Sequence, residues 1–412
     1  MNSAQDIIPI LKLALRYHRE GNLDYAKYVY QHMLDIDPQN ADALHLLGVS
    51  SYQLGQYEIA VNLITQAIQI DPTNPLFSTN LGKAFRKQGK LEESIQAYQK
   101  AIQIQFDYAE AHIDLATIFL SQGQLIAGWK EYEWRWYRKR YFKRPLWNGT
   151  SLNGKSILVH CEQGFGDMIQ FIRYIDLLPD KDTTIIFACQ PELKPLFKSI
   201  DRINTLVTKG ENIPDSDFYV PLLSLPYIFN TTLDTIPARI PYLYPNPKVD
   251  SVLLLDENHN LKIGIAWAGR PTHANDHNRS IDLKRFECLL GIGNCEFFSL
   301  QVGKRRESIK QYGYHHIIKD LGKQFANFHH TALAILQLDL VISVDTAVAH
   351  LAGALGKEVW TLLPFVPDWR WMLDRSDSPW YPSMTLFRQK KVGDWDGVFQ
   401  QLKSELTQST QD

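Results

Sequence analysis

The 412-residue sequence predicts an α + α/β protein, an N-terminal helical solenoid followed by two α/β halves. Three observations predict it. Gly21, Gly55, Gly89 and Gly123 recur every 34 residues. From Gly154 the pattern switches to short β-branched runs alternating with amphipathic stretches. A proline-rich segment with Pro237, Pro241, Pro245 and Pro247 divides that region in two. The expected domains are 1–140, 141–250 and 251–412, with the last helix a candidate to pack back on the first α/β half.

Composition narrows the class. Hydrophobic residues make up 45% of the chain, enough for real cores. Lys and Arg number 43 against 45 Asp and Glu, so no global field favours nucleic acid or an anionic membrane. Cys161, Cys189, Cys288 and Cys295 are scattered without a C-x-x-C pair. They read as buried thiols of a reducing compartment, not a disulfide frame or zinc site. The N-terminal segment has no basic stretch before its apolar residues, and no run of about 18 apolar residues occurs. A cytoplasmic protein without a transmembrane segment is expected.

In the first third, Pro38 and Pro72 keep the glycine step. Leu13, Leu47, Leu81 and Leu115 also keep it, each followed by a small residue: Ala14, Gly48, Gly82 and Ala116. Tyr30, Ile64, Tyr98 and Tyr132 share a register. Small residues belong where paired helices approach closely, and the glycine closes the turn between them. Period and pattern resemble the tetratricopeptide repeat, a helix–turn–helix unit that stacks into a superhelix with a concave face. Phe106 replaces the proline of the third repeat and the pattern fades after Gly128, which leaves about three and a half repeats. Two readings fit so short an array: recognition of an acceptor or partner protein, or a packing and dimerisation module. The segment after it carries Trp129, Trp134 and Trp136 among Arg135, Arg138, Lys139 and Arg140. Aromatics interleaved with cations suit single-stranded nucleic acid. The near-neutral chain favours instead a helix whose tryptophans seal the array onto the next domain, and no nucleic-acid partner is expected.

The α/β region opens with strand-like Ser156–His160 and a helix expected over Asp167–Leu178. Thr184–Ala188 and Leu206–Thr208 continue the first half. Asp234–Val249 reads as an extended linker. Lys262–Trp267, Glu296–Leu300, Ile317–Ile318, Leu340–Val344 and Glu358–Leu363 are the strands expected of the second half. Two such halves place a cleft between two sets of strand ends.

Chemistry concentrates at two strand ends. Leu340–Val344 runs into Asp345, Thr346 and a small-residue helix from Ala347 to Ala354. The first amides of such a helix have no internal partner and attract an anion such as a diphosphate. Thr346 and His350, four apart, face one side of its first turns. In the first half, Gly164 and Gly166 free the backbone for a tight turn, and Asp167 opens the helix. Asp167 is either an N-cap or a carboxylate held at the cleft wall. Gln301 follows a strand end and is a candidate nucleotide contact. Lys304, Arg305 and Arg306 read as a solvated turn, with a phosphate clamp as the less favoured alternative. The pairs Asp180/Asp182 and Asp215/Asp217 form D-x-D without a further ligand cluster, so no metal site and no cofactor is expected. Trp369, Trp371, Trp380 and Tyr381 suit either core packing or stacking on a ligand.

Together, EQGFGD, IAWAGRPTHANDHNRSI, SLQVG, VDTAVAHLAGALG and PDWRW resemble a bacterial group that fuses tetratricopeptide repeats to a glycosyltransferase family 9-like domain. The likeness runs from about Ile7 to Leu402, and the catalytic part is similar to the heptosyltransferases. The resemblance implies a GT-B fold of two Rossmann-like halves, acceptor side first and donor side second. It implies Asp167 as catalytic base, and Asp345, Thr346, Ala347 and His350 as the donor-binding motif. Ala347 stands where heptosyltransferases usually carry glycine. Arg279 is the candidate for the basic group on the donor phosphate. The expected activity is inverting transfer from a nucleotide-diphosphate sugar to a hydroxyl of a protein or glycan acceptor. A non-catalytic nucleotide-sugar-binding scaffold and a nucleotide-sugar epimerase or hydrolase are the alternatives.

Overall fold

The computed structural model describes residues 4–137, 142–248, 255, 259–273 and 275–410. Arg138, Lys139 and Arg140, and the domain boundary expected at 250, lie outside them. The chain divides into two compact units, Met1–Lys139 and Arg140–Asp412.

Among the described residues the first unit holds eight α-helices in antiparallel pairs. They are α1 (Ala4–Arg19), α2 (Leu23–Ile36), α3 (Ala41–Gln53), α4 (Tyr57–Ile70), α5 (Pro75–Lys87), α6 (Leu91–Ile104), α7 (Ala109–Ser121) and α8 (Leu125–Tyr132). Each pair is closed by one of the four periodic glycines, all in the left-handed region at φ between 76° and 79°. At the first turn the Asn22 N–H returns to the Tyr17 carbonyl at 2.9 Å and the Gly21 N–H to His18 at 3.1 Å, which ends the helix as a left-handed cap does. Tyr30, Ile64, Tyr98 and Tyr132, in one register, are all buried. They fill the space that small residues leave on the facing helix. A Cβ on Gly82 would stand 2.6 Å from the Tyr98 ring. Trp129 and Trp134 are used inside the array. Trp129 is buried, and Trp134 stacks on His112 with ring centroids 4.0 Å apart.

The second unit holds two all-parallel sheets. The first is built from β1 (Ser156–His160), β2 (Thr184–Cys189), β3 (Thr205–Thr208) and β4 (Phe218–Pro221) in the order β3-β2-β1-β4. The second contains β5 (Leu261–Ala266), β6 (Cys295–Ser299), β7 (Ile318–Asp320), β8 (Leu340–Val344), β9 (Glu358–Leu363) and β10 (Met384–Arg388), ordered β10-β9-β8-β5-β6-β7. That is a doubly wound order, which reverses between β5 and β8 and leaves a crevice at their carboxyl ends. In the first sheet the reversal falls between β1 and β4.

Several expectations change. The helix expected over Asp167–Leu178 is α9 (Phe165–Phe171) followed by 3-10 turns over Ile172–Leu177. β4 and β10 were not foreseen: one is four residues ending in proline, the other follows an aromatic turn with no β-branched run. Between β7 and β9 come α10 (Phe328–Leu336) and α11 (Ala347–Ala354), and the chain closes with α12 (Trp395–Ser409). The last helix does not return to the first half. Its Trp395, Val398, Phe399, Leu402 and Leu406 join the core of the second sheet. The proline-rich linker is anchored rather than loose: the Tyr242 N–H donates to the carbonyl of Ala354, the last residue of α11, at 3.0 Å, and Leu243 is buried. Of the cysteines, Cys189 is buried but Cys288 is exposed.

Gly82→Val puts branched carbons into the Tyr98 ring, and overpacking of this kind costs about 1–3 kcal/mol. The variant is expected to unfold at lower urea concentration, with the loss in the helical signal of the repeat unit followed by far-ultraviolet circular dichroism.

Candidate functional site

The switch points of the two sheets set the site. The loop after β1 leads into α9, the loop after β8 into α11, and these two helices pack against each other. Gly166 makes that approach feasible, because a Cβ there would stand 2.7 Å from the His350 ring. Gln163, just ahead, holds φ at 121°, a conformation that non-glycine residues rarely adopt.

Asp167 sits in the first turn of α9 and is little exposed. Its Oδ2 accepts the Gly164 N–H at 2.7 Å, so it does support the helix start. Its Oδ1 is paired with the Arg370 guanidinium from the second half. Burial pushes the Asp167 carboxyl up, and Arg370 pulls against that. Arg370 also donates from Nε to Gln170 Oε1 at 2.8 Å and from Nη1 to Asp368 Oδ1 at 2.8 Å. For Asp368, burial pushes upward but the charge and hydrogen bonds of Arg370 outweigh it and hold the carboxyl low.

Across the cleft, Thr346 caps α11, with Oγ1 accepting the Val348 N–H at 3.3 Å. Ala347 is the first residue of the helix. Asp345 precedes them. Burial, with Asp368 nearby, pushes its carboxyl up to about 6 against the opposing charge of Arg279. His350 is buried, bonded through Nδ1 to the Tyr381 hydroxyl at 3.0 Å and stacked on Trp371 at 5.0 Å. Burial first and Arg370 second push it down to about 3, so it is neutral at pH 7. Its Nε2 lies 4.0 Å from Asp345 Oδ1. Arg279 comes from the loop after β5, and its Nη1 donates to the Asp345 carbonyl at 3.0 Å, which ties it to the turn that opens α11.

Asp167, Asp345, Thr346, Ala347, His350 and Arg279, with the Gly164 and Gly166 loop, are thus brought together around the starts of α9 and α11. Gln301 does not join them as a ligand contact. Its Oε1 accepts the Trp267 and Ala268 N–H groups at 3.2 and 2.9 Å, and its Nε2 donates to the Ala268 carbonyl at 3.0 Å. Both ends of the amide are spent on the backbone after β5. The D-x-D aspartates staple loops: Asp180 accepts the Leu152 N–H at 2.7 Å and Asp217 the Ser156 N–H at 2.8 Å. Among the described residues no cluster of three His, Cys, Asp or Glu is placed to hold a metal. Lys304 and Arg305 are exposed, as a solvated turn requires, and Arg305 and Arg306 pair with Asp276 and Asp320. Sequence reasoning missed Asp368 and Arg370. The signal was present in PDWRW, where two charges are enclosed by bulky aromatics instead of lying on a solvated face.

A family profile described as TPR repeat matches residues 50–89 and 82–123. The repeats are therefore of the tetratricopeptide kind, which suggests a protein-interaction scaffold. Protein FlbA of Caulobacter vibrioides (strain ATCC 19089 / CIP 103742 / CB 15) is 25% identical over 339 residues, 73% of this chain and 55% of that protein. The chain spans about half the length of that relative. Among solved structures, a crystal structure of MamA shares 21% identity, covering 30% of this chain and 73% of that one at a TM-score of 0.29. MamA 41-end from Desulfovibrio magneticus RS-1 shares 18%, covering 32% and 77% at 0.30. The Yersinia enterocolitica type III secretion chaperone SycD, in complex with a peptide of the translocator YopD, shares 19%, covering 29% and 95% at 0.28. No helix among the described residues is long and apolar enough to cross a membrane.

His350 carries a pH prediction. Its folded pKa of about 3 lies below the unfolded value of about 6.5. The stability it contributes is complete above pH 6.5 and is lost as pH falls toward 3. His350→Gln is expected to remove about one proton from the uptake that accompanies unfolding between pH 4 and 6. The dependence of melting temperature on pH over that range measures it.

Proposed function

We propose that the second unit is an inverting glycosyltransferase of the GT-B kind. It would move a sugar from a nucleotide-diphosphate donor to a hydroxyl of a macromolecular acceptor that the repeats engage. One observation carries the reading: the switch-point loops of two doubly wound halves set a little-exposed carboxylate, Asp167, opposite the amino end of α11. In this reaction Asp167 takes the proton of the acceptor hydroxyl. The acceptor oxygen forms its bond to the anomeric carbon on the face opposite the diphosphate. The bond from that carbon to the diphosphate oxygen breaks, and its electron pair leaves with the nucleoside diphosphate. The first amides of α11 and the Arg279 guanidinium stabilise that departing charge. Asp345, with a pKa of about 6, and neutral His350 offer acceptors and a donor to sugar hydroxyls.

A second reading has its own support. Both oxygens of Asp167 already have partners, as suits a structural carboxylate in a domain that binds a nucleotide sugar without turning it over. Incubation with a panel of nucleotide sugars, following release of nucleoside diphosphate, separates the two. A transferase releases it, and faster when the acceptor is present. A binding domain shows a nucleotide-dependent rise in melting temperature and no release. Asp167→Ala is expected to lower turnover by about 10²- to 10⁴-fold, the range of general-base contributions, with nucleotide affinity kept in calorimetry. Full activity in that variant removes Asp167 from the mechanism.

A further inference from the structure

Arg370 stands out among the buried cations. It belongs to a 3-10 turn of the second half, Trp369–Trp371, yet two of its partners, Asp167 and Gln170, lie one turn apart on α9 of the first half. Asp368 anchors it from behind, through both the guanidinium and the Arg370 N–H at 3.1 Å. The guanidinium lies over the Trp369 ring at 4.2 Å, with Phe171 at 5.8 Å. Met372, two residues on, is held at φ 54°. The side chain is thus fixed from three directions and only 7% exposed. A guanidinium so confined holds the plane of a carboxylate, because its N–H groups form a rigid fork.

We infer that Arg370 is the positioning residue of Asp167, fixing its carboxylate in orientation and keeping it charged as an acceptor-activating base. The inference rests on the transferase reading for its purpose, not for its test. Other titratable or charged groups face the same space: Glu162 from the loop before α9, Asp368, Asp345 and His350 from the second half, and His273 and Arg279 from the segment after β5. Asp368 and Glu162 repel a charge on Asp167, which leaves Arg370 as the main group that favours it. A tie between the halves with no further role would change stability alone.

The test is a direct titration of Asp167 in the full chain, with carbon-13 carboxyl labelling of aspartate. Asp167→Asn identifies the resonance. Arg370→Gln is expected to raise the Asp167 midpoint by at least one pH unit, and Arg370→Lys, which keeps the charge but not the planar fork, to recover only part of the difference. An unmoved midpoint in a folded Arg370→Gln protein overturns the inference whether or not any sugar is transferred. If Arg370→Gln does not fold, Arg370→Lys decides alone: a midpoint shifted by several tenths of a unit upholds the inference, and wild-type titration refutes it. With a nucleotide sugar that the wild type consumes, Arg370→Gln should lower kcat at least tenfold and move the acidic limb of the rate profile to higher pH. KM for the donor should stay within about threefold. A lowered kcat with the limb in place also refutes it. Absence of turnover in the wild type counts against the transferase reading and leaves the titration to judge Arg370.

Discussion

A buried guanidinium that, among the described residues, pairs with carbonyls and a hydroxyl rather than a carboxylate ties three segments of the second unit together. Arg173 donates to the carbonyls of Gln170, Pro237 and Trp380 at 2.9, 3.1 and 2.7 Å and to the Tyr242 hydroxyl at 2.8 Å. These belong to the helix of the first half, to the linker and to the second half. A buried cation that lost these acceptors would be costly, because desolvation of an unpaired charge is among the largest penalties in a protein interior. The three segments are therefore constrained to converge, and the rings of Tyr242 and Tyr381 lie against the cation at 4.1 and 4.7 Å. Tyr381 passes the constraint on to His350, and Tyr242 donates to the Ile169 carbonyl of α9 at 2.8 Å. The positions of both helices flanking the cleft follow from one side chain that carries no chemistry of its own.

Much of this was legible in the sequence, for physical reasons that differ by element. The 34-residue step was readable because a left-handed turn admits glycine almost alone, and the same turn recurs four times. β8 was readable because a strand buried on both faces is uniformly apolar. The edge strands β4 and β10 escaped because a short strand at a border needs neither alternation nor a long apolar run. Local sequence placed Asp167, Asp345 and His350 at strand ends, where a doubly wound sheet puts its ligands. What local sequence does not hold is the pairing between segments. Arg370 and Arg173 look like surface cations until the far partner is known. Gln301 has the reverse history: its position is that of a ligand contact, but nearby backbone groups claim its amide first.

The electrostatics of the cleft have a consistent logic. Asp345 and His350 share a dry environment, and each is shifted toward its neutral form, the acid upward and the base downward. Asp167 and Asp368 share one guanidinium, which outweighs burial at Asp368 and opposes it in part at Asp167. The site thus combines a neutral imidazole with carboxylates and guanidinium groups.

The same arrangement bears on how the chain is made. Asp167 and Arg370 are 203 residues apart in sequence, and Arg173 and Trp380 are 207 apart. Closing such separations is slow compared with forming local turns, and domains emerging from the ribosome fold from the amino end. The helical repeats, whose contacts are between neighbours, can assemble as they appear. The first sheet can also form early, but Asp167 of α9 then lacks Arg370, and Arg173 just beyond that helix lacks the Trp380 carbonyl. Until the Trp369–Trp380 segment arrives, that face of the first half is an unfinished, charge-bearing apolar surface. During synthesis that face stays uncovered until the chain has been made as far as Trp380.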